Sequence, residues 1–470
     1  MCEFKQKLVG RCAKIIGVFL TEIIFMFFWS QYYAGSMDHR FLEQSYIVVM
    51  FCSCILYLLF LHLYDAMNLS AYRWNEIVLG QVLSQILTNV IMYCVSCFLT
   101  LKILNILPVI AASTVQLAVS AAWICIFQKL YIRSSILERM IIVYGEKADV
   151  GALIKEHGLD KKYNIGLRIS ETDVLNNLTI LDEAETVLMA GMGTEDRNEI
   201  LKYCWMRQIH ILVMPCLGDI IMQAAYPVRA FRQPVFRVDQ SFQRPEYTVL
   251  KRLFDIVSAA VALVILSPLM LVVSIVIKAT DGGPAFYKQA RLTRDGKVFK
   301  IIKFRSMRMD AEKDGVARLS TGTSDERVTS IGRFIRKVRI DELPQLLNVL
   351  RGEMSICGPR PERPEIAEEY EKEMPEFRMR LQVKAGLTGY AQVYGKYNST
   401  PYDKLQMDLM YITHANIWTD IHIMLATIKV LFSAESTEGV AEGSRTAMRK
   451  GSQTEKIRYI TDMVGKDNEI

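Results

Sequence analysis

The sequence lacks a disulfide framework. Its ten cysteines are scattered over 470 residues, and Cys52, Cys54, Cys94, Cys97 and Cys125 lie in apolar runs, where cysteine behaves as a small hydrophobe. That excludes a cross-linked secreted scaffold and fits domains facing a reducing compartment. Cys94-x-x-Cys97 has no second ligand pair nearby, so it reads as membrane core rather than as a metal or redox pair. Charge of one sign is scarce as well. The 56 Lys and Arg against 50 Asp and Glu leave a net +6, which matters for an anionic partner only where it is clustered. A dinucleotide fingerprint is also missing. Gly145-Glu-Lys-Ala-Asp-Val-Gly151 lacks the G-x-G-x-x-G spacing that brings backbone close to a pyrophosphate.

Apolar residues are abundant instead, at 51%. Four long apolar segments, near 15–33, 46–64, 82–104 and 108–131, approach or exceed the roughly 20 residues that cross a bilayer. The first is too long, and is followed too soon by others, to read as a cleaved signal peptide. Lys5, Lys7, Arg11 and Lys14 precede the first segment, and Lys129, Arg133 and Arg139 lie at or just beyond the end of the fourth. By the positive-inside rule both ends are cytoplasmic, consistent with an even number of spans. No charge cluster lies within the spans, so a structural anchor is expected rather than a transport path.

From Arg139 the pattern changes to alternating strand and helix. Met140-Ile-Ile-Val-Tyr144 reads as a buried strand before Gly145, and Thr186-Val-Leu-Met-Ala190 and Ile209-His-Ile-Leu-Val-Met214 read as two more. The alternation predicts a small α/β domain with a parallel sheet, structural or regulatory in role. A polar linker at 240–246 ends it.

Lys251-Arg252 then opens a fifth apolar stretch, 253–277, interrupted by Ser267-Pro268. Proline removes one helical hydrogen bond, and Ser267 is placed to satisfy the freed group. The expectation is a hairpin that dips into one leaflet and returns, keeping the chain beyond residue 280 on the cytoplasmic side. The next segment is basic: Lys288, Arg291, Arg294, Lys297, Lys300, Lys303, Arg305 and Arg308, with Asp295 the one acid in 288–309. Lipid headgroups and phosphates suit such a run. Its aromatics are not spaced as a stacking platform, so no nucleic-acid partner is expected. Lys300-Ile-Ile-Lys-Phe-Arg305 alternates weakly, as a strand would.

The stretch with most chemistry is Arg336-Lys-Val-Arg339-Ile-Asp341-Glu342-Leu-Pro344-Gln345. Pro344 favours the first turn of a helix, and Leu346, Leu347 and Leu350 come after it at helical spacing. Asp341 and Glu342 therefore stand at a helix N-terminus, where negative charge is favoured. Locally this is an ordinary helix start, and its significance comes from its neighbours. Gly358-Pro359-Arg360-Pro361 holds an arginine between two prolines, suited to bidentate phosphate contact and equally to a plain turn. Lys384-Ala-Gly386-Leu-Thr388-Gly389 to Asn398 is a glycine-punctuated loop, and 402–432 reads as helix, either interfacial or core-packed. A polar tail occupies 433–470.

These motifs, in this order from Lys251-Arg252 to Gly386-Leu-Thr388-Gly389, resemble the bacterial polyprenyl-phosphate glycosyl-phosphate transferases, the monotopic phosphoglycosyl transferase family, over about 247–432. The N-terminal architecture resembles the long-form members. The resemblance implies a membrane protein of α plus α/β class. It would have a four-span transmembrane region (1–138), a Rossmann-like cytoplasmic domain (139–246), an α-rich monotopic catalytic domain with a re-entrant hairpin (247–432) and a mobile tail (433–470). It implies transfer of a phosphosugar from a UDP-sugar to polyprenyl (undecaprenyl) phosphate with release of UMP, priming exopolysaccharide, capsule or O-antigen synthesis. Asp341 is implied as the nucleophile that forms an aspartyl phosphosugar, and Glu342 as the Mg²⁺ ligand. Lys303, Arg305, Arg336, Arg360 and Lys396 are the candidate substrate-binding cations. Where the family often carries arginine, Lys396 keeps the charge but not the planar fork. The expected setting is the bacterial inner membrane, with the catalytic domain on the cytoplasmic face of the lipid bilayer and a homodimer as the assembly. The competing functions are a membrane glycosyltransferase making a direct glycosidic bond, separated by release of UDP rather than UMP, and a non-catalytic membrane regulator.

Overall fold

The computed structural model describes residues 2–34, 39–67, 74–134, 137–145, 150–151, 154, 159–161, 163–230, 233–239, 245–308, 327–395 and 400–431. The predicted tail at 433–470 lies outside these residues. The chain divides into two compact units. One comprises Met1–Met50, Leu69–Trp74 and Ser96–Cys216, the other Phe51–Asn68, Asn75–Val95 and Leu217–Ile470.

Four apolar helices come first: α1 (Cys2–Tyr32), α2 (His39–Leu63), α3 (Trp74–Thr100) and α4 (Leu107–Ser134). Each contains a window long and apolar enough to cross a membrane. Without water, polar groups on such helices need protein partners. In the first unit Trp29 donates to Ser96 Oγ at 3.2 Å, Gln116 to Thr21 O at 3.0 Å and Trp123 to Ala13 O at 3.1 Å. Tyr33 likewise donates to Asn105 O at 2.7 Å.

The same unit carries a parallel sheet of β1 (Arg139–Tyr144), β2 (Asn164–Ser170), β3 (Thr186–Ala190) and β4 (His210–Val213), in the order β2-β1-β3-β4. The three expected strands are present, with β2 added at one edge. Both faces are covered, which is why the central strands read as unbroken apolar runs. Ile141, Val143, Val187 and Met189 pack with Val174, Leu181, Ile200 and Cys204. Met140, Ile142 and Leu188 pack on the other side with Ile154. Helix α5 (Thr194–Met206) supplies Ile200 and Cys204.

The second unit includes an antiparallel pair, β5 (Tyr226–Ala230) and β6 (Gln233–Arg237). Next comes α6, a single helix over Pro245–Asp281 with Pro268 inside it. Pro268 cannot bond the carbonyl one turn back, and Ser267 Oγ donates to that carbonyl, Val264 O, at 2.9 Å. The expected partner is therefore in place, and Ser267-Pro268 sits within a continuous helix rather than in a turn between two. At its base, Lys251 pairs with Asp420 at 2.9 Å, Ser355 Oγ and Ile356 N donate to Asp255 at 3.0 Å, and Arg252 donates to Val349 O and Leu350 O.

Strands β7 (Phe286–Leu292) and β8 (Val298–Phe304) pair antiparallel. After them come α7 (Ser330–Lys337), a 3-10 helix at Ile340–Gln345 and α8 (Leu346–Arg351). Strand β9 (Ser355–Cys357), α9 (Pro364–Glu373) and β10 (Gly386–Thr388) come next, with β9 and β10 parallel. The chain closes with α10 (Pro401–Thr413) and α11 (Ile417–Leu431). Thr400 and Asp403 form a capping box ahead of Pro401, which sets the start of α10. Leu405, Leu409, Tyr411, Ile412 and Ile423 are buried in the same core as Leu346, Val349, Met354 and Ile356. Core packing thus accounts for much of the 402–432 stretch. Fully burying a side chain of that size contributes about 1.5–3 kcal/mol.

Candidate active site

The site is built on a tight reversal. Thr329 Oγ1 accepts from Gly332 N at 2.9 Å and starts α7. After α7 the chain turns through Arg339 at φ 54° and ψ 21°, a left-handed conformation that costs a non-glycine residue energy. Asp341 and Glu342 lie in the first turn of the 3-10 helix, and Pro344 lies inside it. The predicted helix start is thus a 3-10 turn that continues into α8. With three residues per turn, successive side chains point about 120° apart, so the two carboxylates diverge.

Lys303, near the end of β8, and Arg360, in the Pro-Arg-Pro turn, converge on Glu342. Lys303 Nζ lies 3.1 Å and Arg360 Nη2 2.9 Å from Glu342 Oε1. Asn348, fully buried, fixes β8 against this segment. Its Oδ1 accepts from Ile302 N at 3.0 Å, and its Nδ2 donates to Lys300 O at 2.9 Å and Glu353 Oε2 at 2.7 Å. Two of these bonds tie α8 to β8 and so hold Lys303 opposite Glu342, and the third ties the amide to Glu353.

The two acids have different electrostatics. Burial and the neighbouring Glu342 push the Asp341 carboxyl up to about 6, against the pull of Lys303, Arg336 and Arg360. Burial also opposes charge on Glu342, but Arg360, Lys303 and Arg339 outweigh it and hold that carboxyl well below the usual range. Burial lowers the Lys303 ammonium, while Glu342 raises the Arg360 guanidinium. One acid is a fixed anion and the other titrates near neutrality, a division that lets adjacent carboxylates take separate roles.

Of the predicted cations, Lys303 and Arg360 bond Glu342, and Arg336 acts on Asp341 through its charge. Arg336 Nη1 is buried without a hydrogen-bond partner. Arg305 is buried just beyond β8 and is not among the cations weighing most on either carboxylate. Lys396 lies outside the described residues. Sequence reasoning assigned no role to Asn348, or to Gln345, whose buried Nε2 also has no hydrogen-bond partner. Buried donors of this kind are unusual in folded proteins and are available to a ligand. The only signal for either residue was a polar side chain among the leucines of α8 and its lead-in.

Both bonds to Glu342 use Oε1, so neither occupies Oε2. Among the described residues no three His, Cys, Asp or Glu side chains form a closed metal cage. A single carboxylate fits Mg²⁺, which takes one or two protein oxygens and completes its shell with phosphates and water.

Five helices long and apolar enough to cross a membrane, together with a carboxylate pair flanked by cations, are features of a membrane enzyme. The bacterial sugar transferase family model matches residues 246–434. The chain is 39% identical over 192 residues to a UDP-N-acetylgalactosamine-undecaprenyl-phosphate N-acetylgalactosaminephosphotransferase of Aeromonas hydrophila, covering 40% of this chain and 45% of that protein. It is 39% identical over 191 residues to a UDP-glucose:undecaprenyl-phosphate glucose-1-phosphate transferase of Caulobacter vibrioides, covering 40% of this chain and 71% of that protein. An undecaprenyl-phosphate galactose phosphotransferase of Salmonella typhimurium is 32% identical over 306 residues, covering 60% of this chain and 62% of that protein. The chain belongs to the bacterial sugar transferase family. Its match spans less than half of the Aeromonas relative.

Proposed function

We propose that the chain transfers a phosphosugar from a UDP-sugar to undecaprenyl phosphate, releasing UMP, as the priming step of polysaccharide synthesis. The observation that carries this reading is the Asp341–Glu342 pair, with Lys303 and Arg360 on one acid and a raised carboxyl on the other. Ionised Asp341 attacks the sugar-proximal phosphorus. An Asp–O–P bond forms, the P–O bond to UMP breaks, and UMP leaves with the electron pair. The phosphate oxygen of the polyprenyl substrate then attacks the same phosphorus and the Asp341 carboxylate departs. Two displacements let one site serve a water-soluble and a membrane-borne substrate in turn.

Glu342 is the residue that would hold Mg²⁺, which when bound neutralises charge on the donor's diphosphate. Arg336, Gln345, Lys303 and Arg360 orient and stabilise phosphate oxygens. We read α6 as re-entrant, bent at Ser267-Pro268, with the catalytic part on the cytoplasmic face. The parallel-sheet domain is read as a Rossmann-like module with a structural or regulatory role, and the assembly as a homodimer.

The test is the purified chain with a panel of UDP-sugars, Mg²⁺ and polyprenyl phosphate, following UMP and UDP. UMP release with ping-pong kinetics is expected, and Asp341→Asn should lower it by at least about a thousandfold. UDP release, or substantial turnover by Asp341→Asn, would sink the reading.

A further inference from the structure

The segment Pro359-Arg360-Pro361-Glu362 carries the guanidinium that grips Glu342. Two of its four residues have no N–H, so it cannot make an ordinary backbone ladder. All four of its carbonyls nevertheless have donors from elsewhere in the unit. Gly386 N bonds Pro359 O at 2.9 Å, and Leu292 N bonds Glu362 O at 3.0 Å. The two middle carbonyls take side chains: Arg380 Nη2 bonds Arg360 O at 2.9 Å, and Arg291 Nη1 bonds Pro361 O at 3.1 Å.

Arg380 is the more deeply buried of the two, at 4% exposure against 18% for Arg291. It pairs with Asp408 Oδ2 at 2.7 Å and lies 3.6 Å from Glu362 Oε1. Its guanidinium lies over the Phe377 ring, 4.8 Å from the centroid. Asp408, on α10, is itself 2% exposed. Burying such a pair costs desolvation, which apolar side chains of similar volume would avoid. Set against that cost is a hydrogen bond to the backbone of the residue that clamps Glu342.

We propose that Arg380, seated by Asp408, is a positioning residue for the transfer reaction, fixing the backbone of Arg360 and so the guanidinium that bonds Glu342. This rests on the phosphosugar-transfer reading. Arg380 acts through Arg360 and makes none of the described contacts to the dyad.

A double-mutant cycle in the full-length purified chain tests it, with UMP release as the assay. Arg380→Ala should lower kcat/KM by about 10- to 100-fold, as loss of an outer supporting partner does. It should also raise the Mg²⁺ concentration for half-maximal rate in the same direction as Arg360→Ala. The double variant should lose no more than about threefold beyond Arg360→Ala alone, because the two residues act as one unit. Arg380→Lys should recover part of the loss. If Arg380→Ala shows no cooperative thermal transition, Asp408→Asn takes its place in the same cycle. Losses that multiply in the double variant, or an unchanged Mg²⁺ titration, overturn the positioning role while the transfer reading stands. A wild-type chain that releases no UMP overturns both.

Discussion

Asp341 carries a conflict between chemistry and stability. In the nucleophilic role proposed for it Asp341 must be ionised, yet burial and Glu342 hold its carboxyl up to about 6. Its rate-limiting charge should therefore appear in the pH profile. The first half-reaction should slow as pH falls from 7 toward 5 and the Asp341 carboxyl takes up a proton, and a flat profile over that range would remove Asp341 as the titrating group. The linkage to stability has the opposite sign. A carboxyl raised from about 4 to about 6 favours the folded state in its protonated form. That contribution is present below pH 4 and disappears as pH climbs through about 6. Asp341→Asn, which never ionises, should thus be more stable than wild type by about 3 kcal/mol at pH 8 without metal, with the gap closing toward pH 4. Melting curves at the two pH values check this, and identical curves at pH 8 would refute it. The dyad was legible in the sequence because two adjacent acids before a proline are a local pattern. The split in their charge was not, since Lys303 and Arg360 reach Glu342 from 39 and 18 residues away.

Helices and strands in the second unit are joined by a few buried polar side chains, and those set the site's dimensions. Asn348 is the clearest case, with its amide spanning α8 and β8. Asn348→Ala would leave Ile302 N and Lys300 O without those partners. It should cost about 2–4 kcal/mol in denaturant unfolding and weaken the Lys303–Glu342 contact. A midpoint unchanged from wild type would show that the strand is held by other means. Glycine acts at the same scale. A Cβ on Gly386 or Gly389 would overlap the Gly358 backbone, so β10 packs directly beneath the Pro-Arg-Pro turn. The sequence displayed these glycines as loop punctuation, but their shared contact depends on the β9–β10 pairing across about 30 residues and could not be read locally. For α6, the apolar run and the Ser267 donor were both readable, and the continuity of the helix through Pro268 was not. A cysteine placed at Thr280 should be labelled only after the membrane is permeabilised, in keeping with a re-entrant helix, and labelling from outside intact cells would make α6 a full crossing.

At the scale of the whole molecule, the described groups that converge on the dyad fall between Lys303 and Arg360, whereas support for the second unit extends to the residues just after α2. His422 lies 3.4 Å from Asp65, and Lys429 donates to Tyr64 O at 3.3 Å. A chain starting at Pro245 should therefore keep UMP release within about tenfold of the full chain and melt several degrees lower, since a lost kcal/mol moves Tm by about 2–4 °C at this size. Loss of activity from a folded truncation would show that the N-terminal region takes part in the site. The order of spans, sheet and catalytic part was readable because each has its own hydrophobic periodicity, while contacts such as His422 with Asp65 join residues that no periodicity links. Arg252 has a consequence of another kind. Its two nitrogens cap Val349 O and Leu350 O at 2.7 and 2.8 Å, one residue before α6 turns apolar. The helix that follows Asp341 and Glu342 is thereby pinned to the start of the apolar part of α6. If α6 enters the bilayer there, the reaction occurs at one fixed height, level with the phosphate of a lipid whose tail stays among its neighbours. The acceptor then need not be lifted out of the membrane, and a donor from solution is met at the surface.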